Sequence, residues 1–450
     1  MKKVFISILF ICLTLASSAA KKDKESKKKD KEAAKTGWNI GPFPAVGYTT
    51  DLGFQYGVLA DIFQYGDGKL YPDYVYKFSV EASHYTKGNT TLHLQFDGKN
   101  LTPGLRYTLA ATYLGNQTES FYGFNGASSV YIKALDKISA DGMGFYLQKR
   151  NQMKVVASLQ GQIASSRWSW YAGLTFNNFN AGYAKNKSIV EGTPTLVDLY
   201  LKNGIIREDE FYGGNHLDVK GGFIYESRDH ENNPTKGINA EILAIGSYDF
   251  FQNRNHYLSL SARFIHFVPL VSDKLIFGYR LAYQGDVLGN KPYYMLPGIE
   301  STTIRQKKND GLGSVNTVRG TVANRMLGKG YAWTNIELRY NFLKFDWIRQ
   351  HWIVSTNPFF DAGMVVQPYK LEEMKAAAAK PENQTTMVPG TGMTVSQLLY
   401  SGKGETLHAS AGIGFHLIMN HNFNIRVEVA KTFNKNDGNI GVGIGVNYIF

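Results

Sequence analysis

The stretch "NIGVGIGVNYIF", Asn439 to Phe450, decides what kind of fold this chain can have. Ile440, Val442, Ile444, Val446, Tyr448 and Phe450 fall on one side of an extended chain, and Gly441, Gly443, Gly445 and Asn447 on the other. A period of two with one apolar face is a β-strand, and crossing a bilayer at a tilt takes about 9 to 11 residues. "WTNIELRYNF", Trp333 to Phe342, repeats the pattern, with Ile336, Leu338, Tyr340 and Phe342 opposing Asn335, Glu337, Arg339 and Asn341. In a soluble sandwich the apolar face would be core and the charged face would meet solvent. In a membrane barrel the apolar face meets lipid and the charged face lines a wet lumen, and one strand cannot separate the two.

The connections can. Reading along the chain places sixteen strands, the first near 43–50, the second near 52–64 and the last near 439–450. Connections of about 26, 30, 40 and 39 residues follow strands five, seven, eleven and thirteen, whereas those after even-numbered strands are mostly tight, as in "LVSD" and "NHN". Long loops at one end and short turns at the other is the sidedness of outer-membrane barrels. The expected fold is therefore all-β, a 16-stranded antiparallel transmembrane β-barrel over 39–450, with both termini periplasmic. Phe450, with Tyr448, ends the last strand as the aromatic address that outer-membrane assembly machinery reads, and says little about the job.

The remaining composition agrees with export. "MKKVFISILFICLTLASSAA", 1–20, has a charged start, an apolar run and small residues before the cut, and reads as a secretory signal peptide. It carries away Cys12, the single cysteine, so the mature chain has no thiol. "KKDKESKKKDKEAAK" follows, eight lysines against four acids without an aromatic or branched apolar residue, and 21–38 reads as a disordered Lys-rich periplasmic tail. Of the formal charge of +12, the first segment holds +2 and the second +4. The folded part is thus only mildly basic, and nucleic-acid binding, which needs a basic patch on a folded surface, is not expected. No later stretch approaches the roughly eighteen apolar residues of a membrane helix.

Several segments together resemble the BamA/TamA superfamily of outer-membrane assembly factors, two-partner-secretion transporters and surface-antigen barrels. "FPAVGYTTDLGFQYGVLADIF" is similar to its first hairpin. "YESRDHENNPTKGINAEI" is similar to its periplasmic-turn motif, here Arg228, Asp229, Pro234 and Gly237. "KPYYMLPGIE" resembles the lead-in to its sixth loop, "TVRG" (Thr317 to Gly320) the loop's tip, and "NIELRYNF" and "FFDAGMVV" the two following strands. No single motif is specific, but their shared order is. The resemblance implies a sixth extracellular loop that folds into the lumen, anchored by Arg319 beside Gly320 on the acids at Glu337 and Asp361.

The residues themselves support this. An arginine inside a barrel needs carboxylates in good geometry, and strand parity turns Glu337 and Asp361 inward. Two competing readings stand beside it: Glu337 pairing with Arg339 on its own strand, and Arg325 as the inserted arginine. Thr321 departs from the family, which usually has an aromatic after the glycine. The family's assembly factors also carry periplasmic polypeptide-transport-associated domains, for which 21–38 is too short.

In the assembly factors the working part is the seam between first and last strands. Pro42 and Pro44 remove backbone donors at the entry to strand one, and Gly441, Gly443 and Gly445 hold a ladder poorly, so the seam here, from Pro44 and Val46 to those glycines, reads as weak. The bland alternative is that prolines are ordinary at strand starts and that the glycines leave room for the loop. The functional expectation is insertion or export of outer-membrane or surface proteins through a gated seam, with substrate recruitment supplied by partner chains. The alternative is a passive porin-like channel or a structural barrel subunit. Expected partners are outer-membrane lipid and further proteins, a second copy of this chain among the candidates. No enzyme, cofactor or metal site is expected: the ten histidines lack metal-ligand spacing, no nucleophile elbow occurs, and "GDGK", Gly66 to Lys69, reads as a turn. "LEEMKAAAAK", Leu371 to Lys380, is a helix former within a long loop, suited to a lid or a partner surface.

Overall fold

The computed structural model describes residues 34–71, 73–136, 144–184, 194–251, 254–302, 311–347, 350–420, 423–446 and 448–450. The signal peptide and most of the Lys-rich tail lie outside these residues.

The chain closes into one antiparallel barrel of sixteen strands. Strand β1 runs in two pieces, Trp38–Pro44 and Gly47–Thr49. It is followed by β2 (Gly53–Gln64), β3 (Tyr76–Tyr85), β4 (Asn89–Thr102), β5 (Leu105–Asn116), β6 (Leu147–Gln162), β7 (Trp168–Tyr183), β8 (Asn215–Glu226), β9 (Gly237–Asp249) and β10 (Tyr257–Val271). Then come β11 (Leu275–Gly289), β12 (Gly330–Trp347), β13 (Gln350–Gln367), β14 (His408–Met419), β15 (Phe423–Thr432) and β16 (Ile440–Val446). Each strand pairs with its neighbours in sequence, and β16 meets β1 to close the wall. Side chains alternate as a two-fold period requires: Tyr340 and Phe342 are exposed on the outer face while Glu337, Arg339 and Asn341 are buried within.

Two boundaries differ from the sequence reading. The first strand begins at Trp38, paired with Gln64, so Trp38 belongs to the wall and not to the tail. The last strand stops at Val446, and Tyr448 and Phe450 do not continue its lipid-facing side. Phe450 is buried inside the barrel with Ile265, Phe267 and Ile276.

The described parts of the four long connections build a dome at one end. Its apolar core includes Phe121, Phe124, Tyr146, Leu196, Tyr200, Tyr293, Leu327, Tyr369, Met374 and Leu399. Short helices carry much of it: α1 (Leu196–Lys202), α2 (Glu208–Phe211), α3 (Leu371–Ala379), α4 (Pro381–Thr385) and α5 (Val395–Leu399). Helix α1 opens with a capping box, Thr195 accepting from the Asp198 amide while Asp198 accepts from Thr195. Helix α3 is the expected helix former, and it buries Met374, Ala377 and Ala378 in the dome. The other end carries the tight turns, the start of β1 and residues 448–450.

Candidate functional site

The connection between β11 and β12 descends from the dome into the lumen. Its tip turns at Gly320, whose φ of 86° is the left-handed region that favours glycine. A Cβ there would also lie 2.9 Å from the side chain of Ala430 on β15. The turn delivers Arg319 to three strands. Its backbone N–H and Nε donate to Asp361 Oδ2 at 3.0 and 2.7 Å, and Nη2 donates to Asp361 Oδ1 at 2.8 Å. Nη1 donates to Glu337 Oε1 at 2.7 Å and to Glu428 Oε1 at 2.8 Å. The guanidinium carbon sits 3.4 Å from the centre of the Phe359 ring. A buried guanidinium is costly unless its donors are satisfied in good geometry, and here every donor nitrogen has a carboxylate partner.

Of the competing readings, Arg339 holds the other oxygen of the same acid, its Nε donating to Glu337 Oε2 at 2.9 Å. Glu337 thus joins the loop arginine to a wall arginine. Arg325 goes elsewhere: Nη1 donates to Gly126 O at 2.9 Å and Ser129 Oγ at 2.7 Å, and Nε to Asn436 O at 2.8 Å. It ties two other loops to the sixth. Thr321 pairs its backbone with Gly438 in the β15–β16 connection. Glu428 and Phe359 were not picked out from sequence, although Glu428 alternates with Val427 and Val429 and so carried the parity signal.

The seam lies where this loop rests. Between β1 and β16 the ladder has two residue pairs, Tyr48↔Ile444 and Thr49↔Gly443. Beyond it, the Thr50 amide donates to Val442 O at 3.2 Å and the Val442 amide to Thr50 Oγ1 at 2.9 Å. The β12–β13 wall, by contrast, is paired from Gly330↔Gln367 to Trp347↔Gln350. Parity explains the prolines. The Thr50 amide faces β16 while the Ala45 amide donates to Gly57 O on β2, so even-numbered amides of β1 point at the seam and odd-numbered ones at β2. Pro42 and Pro44 therefore remove donors from the seam edge alone and cost the β1–β2 ladder nothing.

The glycines divide. A Cβ on Gly441 would lie 2.6 Å from Gly320, and one on Gly443 2.8 Å from Val315, so both make room for the inserted loop. One on Gly445 would meet only the Arg426 side chain at 3.6 Å, an ordinary contact. The same register extended by two residues on that edge sets Val46 opposite Val446, but the ladder has ended there.

The turn motif has a separate place. Between β8 and β9, Arg228 pairs with Glu226, its Nη2 at 2.6 Å from Oε2. Asp229 accepts from the amides of His230 and Thr235 at 3.0 and 2.9 Å. Pro234 is buried in the turn. Gly237 has a φ of 102°, and a Cβ there would strike Ser227 O at 2.3 Å. The turn then carries Glu231 across the mouth of the lumen to Lys99 and Arg106, each at 3.2 Å. Above this strut lies a cavity of about 920 Å³, bounded by the wall from β2 to β5, by the tip of the sixth loop and by Tyr448, Ile449 and Phe450.

A barrel with an arginine-tipped loop inserted between two long strands and a weak closing seam matches a known domain: residues 67–447 align with the Omp85 superfamily domain. The chain belongs to the Omp85 superfamily. It is accordingly an outer-membrane β-barrel. Its fold is similar to that of BamA from Haemophilus ducreyi lacking POTRA domains 1–3, at 18% identity and a TM-score of 0.50, over 92% of this chain and 71% of that one. It is likewise similar to CdiB from Escherichia coli, at 10% identity and a TM-score of 0.50, over 94% of this chain and 67% of that one. No curated relative matches by sequence.

Proposed function

We propose that this Omp85 barrel inserts client proteins into the outer membrane through the β1–β16 seam, with the dome facing outward and the turns and both ends in the periplasm. The observation that carries this reading is the contrast in pairing: two ladder pairs close the seam, and the prolines leave the β1 edge short of donors beside it. The β16 edge, which has no proline, keeps its donors beyond those pairs, and an edge with free backbone groups is a place for another strand to add. The dome supports lateral release over passage through the top, because its apolar core covers the long-loop end. Arg319 then serves as the anchor that keeps the sixth loop against β15 and β16 while the seam opens.

The test is a lock. Cysteines at Val46 and Val446, in a mature chain free of thiols, are expected to form a disulfide that stops client insertion until reductant is added. Undiminished insertion by the locked protein would refute the seam as the path. The passive channel is separated by planar-bilayer conductance of the wild type against a deletion of 315–327: solute-selective current without any change in client insertion favours a channel.

A further inference from the structure

A guanidinium buried without an anion beside it is costly, and the barrel avoids this at all but one position. Among the described residues the buried arginines Arg150, Arg319, Arg325, Arg339 and Arg426 each have a carboxylate oxygen no farther than 3.5 Å away. Arg280 on β11, only 5% exposed, has none among those residues. Its Nε donates to Asn335 Oδ1, its Nη1 to Ile449 O and its Nη2 to Asn316 O, each at 2.9 Å. All three oxygens are neutral. Asn335 stands between Arg280 and Asp361, to which it donates at 2.7 Å, but that acid already holds the fork of Arg319.

Arg280 lines the lumenal cavity of about 920 Å³, and so do Arg426 and Asn316. Asn316, exposed on the sixth loop, joins the two arginines: its O accepts from Arg280, and its Oδ1 from Arg426 Nη2 at 3.2 Å. Arg426 Nη1 lies 3.4 Å from Glu428 Oε2 without a hydrogen bond, and Glu428 is shared with Arg319. Two guanidinium groups thus meet at one edge of the cavity with a single, shared carboxylate between them. Other acids of the cavity are held elsewhere, Glu226 by Arg228, Glu231 by Lys99 and Arg106, and Glu300 by Lys220.

We propose that the edge formed by Arg280, Arg426 and Asn316 is a binding site for a phosphate-class oxyanion, free or carried as a lipid headgroup. The second hydrogens of Arg280 Nη1 and Nη2 and the Asn316 Nδ2, which has no partner among the described residues, supply the donors. A tetrahedral oxyanion offers a separate oxygen to each of them. Bound there, it fastens the sixth loop at Asn316 to the wall at β11, a second tie beside that of Arg319.

The site is tested with the full-length protein in a non-ionic detergent, by isothermal titration calorimetry with inorganic phosphate and, separately, with dihexanoylphosphatidic acid, the ionic strength being fixed with sodium chloride. Saturable binding is expected, weakened about tenfold or more in Arg280→Gln. Asn316→Asp is the complementary variant. Asn316 only accepts in the bonds it makes to the two arginines, so an aspartate keeps them and adds the missing anion in cis. That variant should also bind phosphate about tenfold or more weakly, yet lose its folded band in heat-modifiability gels at a higher temperature than wild type. Phosphate should raise the wild-type temperature and leave that of Asn316→Asp unmoved.

Should Arg280→Gln not fold, Asn316→Asp carries the test alone. Tighter binding of the lipid than of inorganic phosphate assigns the site to a headgroup, and equal binding assigns it to a soluble ion; either result sustains the proposal. Absence of saturable binding by both ligands, affinity unchanged in either variant, or acetate binding as tightly as phosphate would each overturn it.

Discussion

The wall at β12 and β13 and the seam at β1 and β16 are built from the same alternating pattern, yet they behave as opposites. The first pairs along almost its whole length and turns Glu337 and Asp361 inward as ligands for the loop arginine. The second has two ladder pairs, glycine on its lumen face and proline on its free edge. The sixth loop joins them: Arg319 binds acids of the strong wall and Glu428 of β15, while the Gly320 backbone lies on Gly441 and the Val315 side chain on Gly443. A weak closure is thereby held in register by a strong wall three strands away.

The largest effect is expected from cutting that link. Arg319→Ala leaves Asp361, Glu337 and Glu428 buried without their shared cation, and should cost about 3–5 kcal/mol, read as a lower temperature for loss of the folded band in heat-modifiability gels. Arg319→Lys should recover only part of it, since an ammonium cannot reproduce the fork to Asp361. Overpacking the loop's bed comes next. Gly441→Val or Gly443→Val should destabilise by about 1–3 kcal/mol in the same assay, whereas Gly445→Ala should be nearly silent; equal losses at all three would mean that the glycines serve the strand and not the loop.

A smaller effect runs in the opposite direction. The double variant Pro42→Val/Pro44→Val restores two donors to the seam edge, each worth about 0.5–1.5 kcal/mol if a partner takes it. Hydrogen exchange at the Ile444 and Val446 amides should then slow, and client insertion should fall.

The smallest effect belongs to the strut at the turn end. Burial works against the charge of Glu231, but Arg106, Lys99 and Arg228 outweigh it and hold the carboxyl well below the usual carboxylate range. A group whose pKa is depressed on folding stabilises above its unfolded value and loses that contribution as pH falls through the folded one. The strut should therefore be intact at neutral pH and weaken only under strong acid. Glu231→Gln should lower stability by about 1 kcal/mol or less at pH 7, and the difference from wild type should shrink as the pH drops below about 4.

Much of this was legible because a barrel strand has one simple rule. Parity alone turned Glu337 and Asp361 inward, and the alternation of long and short connections fixed sixteen strands and their sidedness. The rule fails where it has two answers. Around "RFIHFVPL" both faces of β10 are apolar, so the lumenal patch of Ile265 and Phe267 looks like ordinary lipid-facing sequence. Tyr448 and Phe450 fit the outward side of β16 by spacing, and only the missing donors of Pro42 and Pro44 on the neighbouring strand, together with that patch, explain why they turn inward. The dome is farther from sequence still, since its core is assembled from four separate loops that show no shared period.

The most direct test sets the two walls against each other. A photo-crosslinking amino acid is placed at Ile40, exposed on the seam strand, and in parallel at Phe342, exposed on the strongly paired wall at β12, and client adducts are followed during insertion. The account predicts adducts at Ile40 that appear and decay as the client assembles, with Phe342 silent. Equal adducts at both positions, or adducts at Phe342 alone, would contradict it.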